Sequence, residues 1–227
     1  MKIKFLSVLA ILIISLLGCT ACNLVKDKTY DATSNDYFEF VERQDGTFAI
    51  SVKEGAELPE KIKLPAEYNG SAVVEIAARA FKNQTVLTSV TIPVGYSIIG
   101  VEAFAFCTNL EMLNVGQQGG GEAKDITVRA SAFQGCGKLI NVTLGVNVTE
   151  IDSYAFYETG VSSINARGLK KVGEKAFGNC SVLKSFYVCA TLTDIHDNAF
   201  KGSDNVTFSV AESNTAYTVV DGELIKK

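Results

Sequence analysis

The stretch VGEKAFGNCSVLKSFYV (172–188) contains an Ala-Phe pair, a Cys three positions after the Phe and a Leu three positions further on. Nearly the same string occurs as IGVEAFAFCTNLEMLNV (99–115) and as VRASAFQGCGKLINVTL (128–144). In the register of these strings the Ala-Phe pair recurs six times, and its phenylalanines are Phe81, Phe104, Phe133, Phe156, Phe177 and Phe200. Internal periods of 21 to 29 residues indicate a solenoid, in which each repeat buries its apolar side against its neighbours.

Three further features recur around each of these phenylalanines. An aliphatic residue lies five positions before it: Ile76, Ile99, Val128, Ile151, Val172 and Ile195. A small or polar residue lies three positions after it: Gln84, Cys107, Cys136, Thr159, Cys180 and Ser203. A short apolar alternation follows, as in Val90/Ile92 and Phe186/Val188. Because side chains alternate between the two faces of a strand, this pattern predicts one short strand in each coil.

The position that holds Cys in three repeats is predicted to be a packing position, because Gln, Thr and Ser occupy it in the others. Its cysteines are therefore predicted to be small buried side chains. Cys107 and Cys136 lie in adjacent coils, which leaves a disulfide open, but stacking alone does not provide bridging geometry, so we favour free thiols. His196 is the one histidine of the chain and is predicted to lie at the surface. We therefore expect no catalytic residue, no metal site and no cofactor.

The N-terminus has the features of an export signal. Two lysines precede the apolar run FLSVLAILIISLL (5–17), which is too short to span a bilayer as an ordinary helix. The following LLGC resembles a bacterial lipobox, in which the Cys at the cleavage site is lipidated. We expect a lipoprotein signal peptide over 1–18, a lipid anchor on Cys19 and a flexible tether over 19–36. The expected location is extracytoplasmic, anchored to a bacterial membrane and exposed at the cell surface.

The charge of the chain argues against nucleic acid as a partner. Its 21 basic and 25 acidic residues give a formal net charge of −4. No cluster of Lys and Arg of the kind that neutralises phosphates is visible in the sequence. Nucleic acid is therefore not an expected partner.

The repeat resembles the BspA-type (Treponema pallidum type) leucine-rich repeat, and LTSVTIPVGYSIIGVEAFAFCTNL (87–110) carries this family's pattern nearly whole. The resemblance implies a β-rich leucine-rich repeat solenoid (α/β-type), with six coils of about 23 residues over 74–210. It also implies a hairpin and half-repeat cap over 37–73 and a strand-turn cap over 211–227. The segment GQQGGGEAK (116–124) is an insertion that lengthens one coil.

In such a solenoid, the residues between the buried positions of each strand point outward and line one face. The predicted face is uncharged and rich in hydroxyl and amide groups, with a Met and a Tyr as its larger side chains. Six strands about 4.8 Å apart would span roughly 24 to 29 Å, which is enough for a peptide segment, a loop or a short glycan. Twelve residues form this candidate ligand face: Ser89, Thr91, Met112, Asn114, Asn141, Thr143, Ser163, Asn165, Ser185, Tyr187, Thr207 and Ser209.

Members of the resembled family are implicated in adhesion to proteins of a host or a neighbouring cell. The resemblance therefore implies a non-enzymatic, lipid-anchored binding protein with a protein partner. The alternative is a scaffold or glycan-capturing lipoprotein within a surface complex. The sequence also leaves open whether the strand face or the insertion (116–125) contacts the ligand.

Overall fold

The computed structural model describes residues 31–116 and 123–227. The predicted signal peptide, Cys19, most of the predicted tether and the middle of the insertion lie outside the described residues. The described ranges contain one short 3₁₀ helix, Asn35–Tyr37, and no helix long and apolar enough to cross a membrane. Their strands are β1 (Phe38–Glu42), β2 (Phe48–Val52), β3 (Lys61–Lys63), β4 (Glu67–Tyr68), β5 (Ser71–Ile76), β6 (Ser89–Ile92), β7 (Ile98–Ile99), β8 (Met112–Val115), β9 (Ile126–Val128), β10 (Asn141–Leu144), β11 (Val148–Ile151), β12 (Ser163–Ile164), β13 (Lys171–Val172), β14 (Ser185–Val188), β15 (Asp194–Ile195), β16 (Thr207–Val210), β17 (Tyr217–Val220) and β18 (Glu223–Lys226).

Each coil of the solenoid contributes two strands, one before its Ala-Phe turn and one after it. The strands after the turns are the predicted ones: β6, β8, β10, β12, β14 and β16. The strands before the turns were not predicted: β5, β7, β9, β11, β13 and β15. These six pair in parallel in that order, and together with β1, β2 and β4 they form a nine-stranded sheet. The solenoid is therefore confirmed, with one more strand in each coil than the alternation indicated.

The predicted strands form two separate sheets and not one continuous ladder. β3, β6, β8 and β10 form a four-stranded parallel sheet, whereas β12, β14 and β16 form a three-stranded one. The break falls at the fourth coil, whose segment YETGVSSI (157–164) is shorter than its counterparts and whose strand β12 has two residues. β3 comes from the half-repeat before the first coil, so the four-stranded sheet begins one strand earlier than predicted.

The six repeat phenylalanines form a continuous stack along the core. The first five are fully buried, and Phe200 is half-buried. Neighbouring rings are 4.8 to 5.8 Å apart, and their planes differ by at most 14°. The stack ends with edge-on contacts, from Phe38 to Phe81 at one end and from Phe208 to Phe200 at the other. Full burial of a Phe side chain contributes about 1.5–3 kcal/mol, so this stack is a main source of stability.

The N-terminal cap begins with the predicted hairpin, in which β1 and β2 pair antiparallel around Asp45 and Gly46. A second contact lies within the predicted tether and was not expected. The Thr33 N–H donates to Lys63 O at 2.9 Å, and the Thr33 Oγ1 accepts from the Lys63 N–H at the same distance. Thr33 is therefore attached to the outer edge of β3, and it covers part of an edge strand that could otherwise pair with another chain. At Thr33 the assignment to a flexible tether is wrong.

The C-terminal cap is a hairpin in which β17 and β18 pair antiparallel around Asp221 and Gly222. Both turn residues have positive φ, at 52° and 88°, which is the geometry that Asp-Gly favours in a two-residue hairpin loop. Tyr217 is 4% exposed, and its hydroxyl accepts a 2.8 Å hydrogen bond from the Ile195 N–H. This bond satisfies a backbone N–H on the outer edge of β15, the last strand of its sheet. The cap leaves the inward side chains of β16 half-buried, whereas the same positions of β14 are fully buried.

Candidate ligand-binding face

The outward residues of the four-stranded sheet lie in two rows across the strands. Parallel pairing places Lys61 beside Ser89, Ser89 beside Met112 and Met112 beside Asn141. The same pairing forms a second row from Lys63, Thr91, Asn114 and Thr143. We call these eight residues the four-stranded face: Lys61, Lys63, Ser89, Thr91, Met112, Asn114, Asn141 and Thr143. The structure thus brings together the predicted residues of the first three coils.

Exposure varies within the four-stranded face. Met112 is 43% exposed, and Asn141 and Thr143 are also exposed. Ser89 and Asn114 are half-buried. Thr91 is only 8% exposed, because in the row it lies between two longer side chains. The prediction that Thr91 presents its hydroxyl to a ligand is therefore wrong, and Met112 is the large apolar side chain that this face offers.

The four-stranded face carries positive charge, which the sequence interpretation missed. Lys61 is exposed and Lys63 is half-buried, and both lie on β3 in register with the first predicted strand. No acidic residue lies in either row. The face was predicted to be uncharged because the half-repeat was treated as a cap and not as a strand of the sheet. The signal was present in KIKL (61–64), where an apolar residue alternates with lysines.

The remaining predicted residues lie on the three-stranded sheet. Pairing in register aligns Ser163 with Ser185 and Ser185 with Thr207, and it aligns Tyr187 with Ser209. Asn165 is exposed and follows the end of β12. We call these six residues the three-stranded face: Ser163, Asn165, Ser185, Tyr187, Thr207 and Ser209. Because the two sheets are separate, the structure does not join the twelve predicted residues into one ladder.

Tyr187, the aromatic side chain of the predicted face, is half-buried and packs against the core. Its ring is therefore only partly available to a partner. Met112 is not among the residues packed against the core. An exposed apolar side chain surrounded by polar ones is the better candidate for a contact that binding would bury.

The four cysteines of the described residues, Cys107, Cys136, Cys180 and Cys189, are free thiols with a defined structural role. Each Sγ in the repeated position donates to the carbonyl of a phenylalanine in a preceding coil: Cys107 to Phe81 at 3.1 Å, Cys136 to Phe104 at 3.2 Å and Cys180 to Phe156 at 3.1 Å. The Ser203 Oγ makes the equivalent bond to Phe177 O at 2.7 Å. The position therefore favours a small donor that satisfies a buried carbonyl, which explains why Cys and Ser alternate there.

Two of these thiols, Cys136 and Cys180, are poorly suited to nucleophilic chemistry. Contact with the Cys107 thiol and burial raise the pKa of Cys136 well above its usual range. Burial likewise raises the pKa of Cys180. A raised pKa keeps the thiol protonated at neutral pH, whereas the thiolate is the reactive form. The cysteines therefore act as hydrogen-bond donors within the core.

The described residues contain no group of three or more His, Cys, Asp or Glu side chains that could hold a metal ion. His196 lies at the surface, as predicted, and its Nδ1 accepts a hydrogen bond from the Asn198 N–H at 3.1 Å. A hollow of about 650 Å³ lies at the C-terminal end of the solenoid, and no residue of either strand face lines it. The candidate site is thus a shallow strand surface and not a deep cavity.

Six copies of the BspA type leucine-rich repeat region match this chain, over residues 60–126 and 122–218. No curated protein sequence matches it significantly. A leucine-rich repeat protein of Treponema pallidum is similar in structure, with a TM-score of 0.54 and 21% identity over 79% of this chain and 71% of that one.

Two further solved structures share the fold. A leucine-rich cell surface protein from Faecalibacterium prausnitzii has a TM-score of 0.60 and 24% identity, over 88% of this chain and 59% of that one. The pneumococcal vaccine antigen PcpA has a TM-score of 0.51 and 16% identity, over 87% of this chain and 54% of that one. At these identities the likeness shows the fold alone. The repeat match spans well over half of the sequence, and the chain therefore belongs to the BspA-type leucine-rich repeat family.

Proposed function

We propose that this chain is a non-enzymatic binding protein of the bacterial cell surface, and that the four-stranded face contacts a protein partner. Membership of the family supports a binding or adhesion role. The observation that carries the assignment to this face is the register of its strands. It places Met112, 43% exposed, between Ser89 and Asn141 in one row.

The chemistry of the four-stranded face suits a protein segment with an acidic group near one end. The lysines of β3 lie two strands from Met112, or about 10 Å at the usual strand spacing. Opposite charges across an interface increase the rate of association and the specificity of binding, while a buried apolar side chain contributes affinity. A segment that places a carboxylate near Lys61 and an apolar side chain on Met112 would satisfy both requirements.

A glycan partner is the second candidate, and the hydroxyl and amide groups of the same rows favour it. Ser89, Asn114, Asn141 and Thr143 supply donors and acceptors without an acidic group among them. This reading corresponds to a scaffold or glycan-capturing lipoprotein in a surface complex. Incubating the purified full-length chain with a glycan array and, in parallel, with extracts of host and neighbouring cells separates the two candidates.

The double variant Met112→Lys with Asn141→Lys tests the face. Because a central apolar contact is often worth 2 kcal/mol or more, we expect affinity for the captured partner to fall by about 30-fold or more. Binding to immobilised partner, measured by surface plasmon resonance, reports the change. Both positions are exposed, so the fold should be unaffected.

The matched control is Thr207→Lys with Ser209→Lys, which adds the same charge to the three-stranded face at exposed positions. It should leave the affinity nearly unchanged. If the Met112 and Asn141 variant binds normally and deletion of residues 116–125 abolishes binding, the insertion is the binding site and the proposal for the face is wrong.

We further propose that the chain is held at the membrane by a lipid on Cys19. The support is the sequence LLGC after a short apolar run. Replacing Cys19 with Ser removes the proposed site of lipidation. Stable anchoring needs two or more acyl chains, so the variant should move from the membrane fraction to the soluble fraction. Incorporation of a clickable fatty acid measures the modification directly. A wild-type protein that takes up no label would contradict this assignment.

A further inference from the structure

The C-terminal end of the solenoid has one covered strand edge and one uncovered edge. At β15 the Tyr217 hydroxyl accepts from the Ile195 N–H. At β16 the Thr207 N–H donates to Lys184 O and the Ala211 N–H donates to Val188 O, both toward β14 at 2.9 Å. Alternate residues of a strand direct their backbone groups to opposite sides. The N–H groups of Phe208 and Val210 therefore point away from β14.

No described strand pairs with the outer edge of β16, which is the last strand of its sheet. At the N-terminal end of the same side of the solenoid, Thr33 bonds to Lys63 and so covers part of the edge of β3. Natural proteins usually cover or blunt a strand edge, because an open edge is a template for another strand. The outer edge of β16 is thus available for pairing.

The hollow of about 650 Å³ lies beside this edge. Its floor is apolar and comes from Ile195, Phe200, Val206, Phe208 and Leu224, all of which are half-buried. The hollow occupies the place where a further coil would continue the stack. In the preceding coils that place is filled by the inward side chains of the next strand, as Phe208 and Val210 pair with Phe186 and Val188.

The strand by which each coil packs on the preceding coil therefore indicates which kind of segment would fit the hollow. Each four-residue strand on this side carries two apolar residues separated by one residue, as in Leu113 and Val115 of β8. The charged side chains around the hollow are mixed in sign: Asp197, Asp204 and Glu223 against Lys201 and Lys226, with His196 beside them. This mixture favours neither an acidic nor a basic segment. The segment that matches the hollow is therefore extended and uncharged, with two apolar residues separated by one residue.

We propose that the outer edge of β16 and the adjacent hollow bind an extended peptide segment of a partner protein by strand addition. The main chain of the segment bonds to the backbone of Phe208 and Val210. Its two alternating apolar side chains enter the hollow and cover Phe200 and Phe208. Strand addition of this kind combines main-chain hydrogen bonds, which supply affinity, with side-chain pockets, which supply specificity. The site is separate from the four-stranded face.

A fluorescein-labelled peptide that copies residues 112–115 (MLNV), with its free terminus blocked, is a suitable probe, because in the chain this uncharged segment pairs in parallel with the strand before it. Fluorescence polarisation with the full-length chain should show saturable binding. The same peptide with Ser in place of Leu113 and Val115 should not bind. Val210→Pro removes one outward N–H and leaves the bonds to β14 in place, so we expect about tenfold weaker binding.

The control is Val210→Thr, which has nearly the same shape as valine and keeps the N–H, and it should bind the probe as the wild type does. Circular dichroism checks that both variants are folded. Absence of binding, or equal binding of the serine-substituted peptide, would overturn the proposal. A dimer of the chain that Val210→Pro dissociates would also overturn it, because the edge would then be covered by a second copy.

Discussion

Replacing Phe133 with alanine should lower the free energy of unfolding by about 3 to 5 kcal/mol, the usual cost of removing a buried Phe side chain. Its ring is fully buried and stacks at 5.3 Å on Phe104 and at 5.1 Å on Phe156. The two neighbours cannot close the gap, because the backbone of each is bonded to the following coil, from the Phe104 N–H to Ala132 O and from the Phe156 N–H to Ala176 O. Urea denaturation followed by circular dichroism measures the loss.

Phe200→Ala is the matched comparison at the end of the stack. Phe200 is half-buried and has a coil on one side only, so its replacement should cost less and should loosen only the C-terminal end. Limited proteolysis would show this difference as cleavage confined to residues after 195. Nearly wild-type unfolding of both variants would contradict a continuous stack of phenylalanines.

Replacing Asn214 with alanine should cost about 3 kcal/mol and should detach the C-terminal hairpin. Asn214 is 1% exposed. Its Nδ2 donates to Cys189 O and Leu192 O, and its Oδ1 accepts from the N–H groups of Ala216 and Tyr217. Each buried group left unpaired costs about 1–3 kcal/mol, and water entering the space would restore part of this. Hydrogen exchange of the amides in β17 and β18 measures the detachment.

Asn205→Ala is the control for this change, because Asn205 is exposed and lies at the same end of the solenoid. It should leave both stability and exchange almost unchanged. Slow exchange in β17 and β18 of the Asn214 variant would mean that the hairpin is held by other contacts, such as the packing of Tyr217 on the core.

The spacing of the phenylalanines was sufficient to predict the solenoid and the strand after each turn. The signal was strong because six copies of one packing unit share a register. The strands before the turns escaped prediction because several of them have only two residues, such as β13 and β15. An alternation of apolar and polar residues cannot be recognised over only two residues. These short strands form because the strands of neighbouring coils pair with them.

Most residues of the predicted face are exposed or half-buried in the structure, and the departures occur where neighbouring strands decide the outcome. The burial of Thr91 depends on the side chains that flank it across two strands. The break between the four-stranded and three-stranded sheets depends on the short length of the fourth coil. This length changes the backbone pairing but not the pattern of residue types from which the strands were predicted. The role of Asn214 was not predicted, because the two carbonyl groups to which its Nδ2 donates lie 25 and 22 residues earlier in the chain.

The break between the four-stranded and three-stranded sheets has a mechanical consequence. A protein tethered at its N-terminus and pulled by a segment bound at the outer edge of β16 carries the load along the solenoid axis, across the hydrogen bonds between coils. Between the third and fourth coils these bonds are supplied by the pairing of β9 with β11 and by the turns, for example from the Phe133 N–H to Ala155 O at 2.8 Å. β10 and β12 belong to different sheets, so they add no strand pairing across this junction. Under tension the molecule should open first at this junction, and each half would keep its own stack of coils.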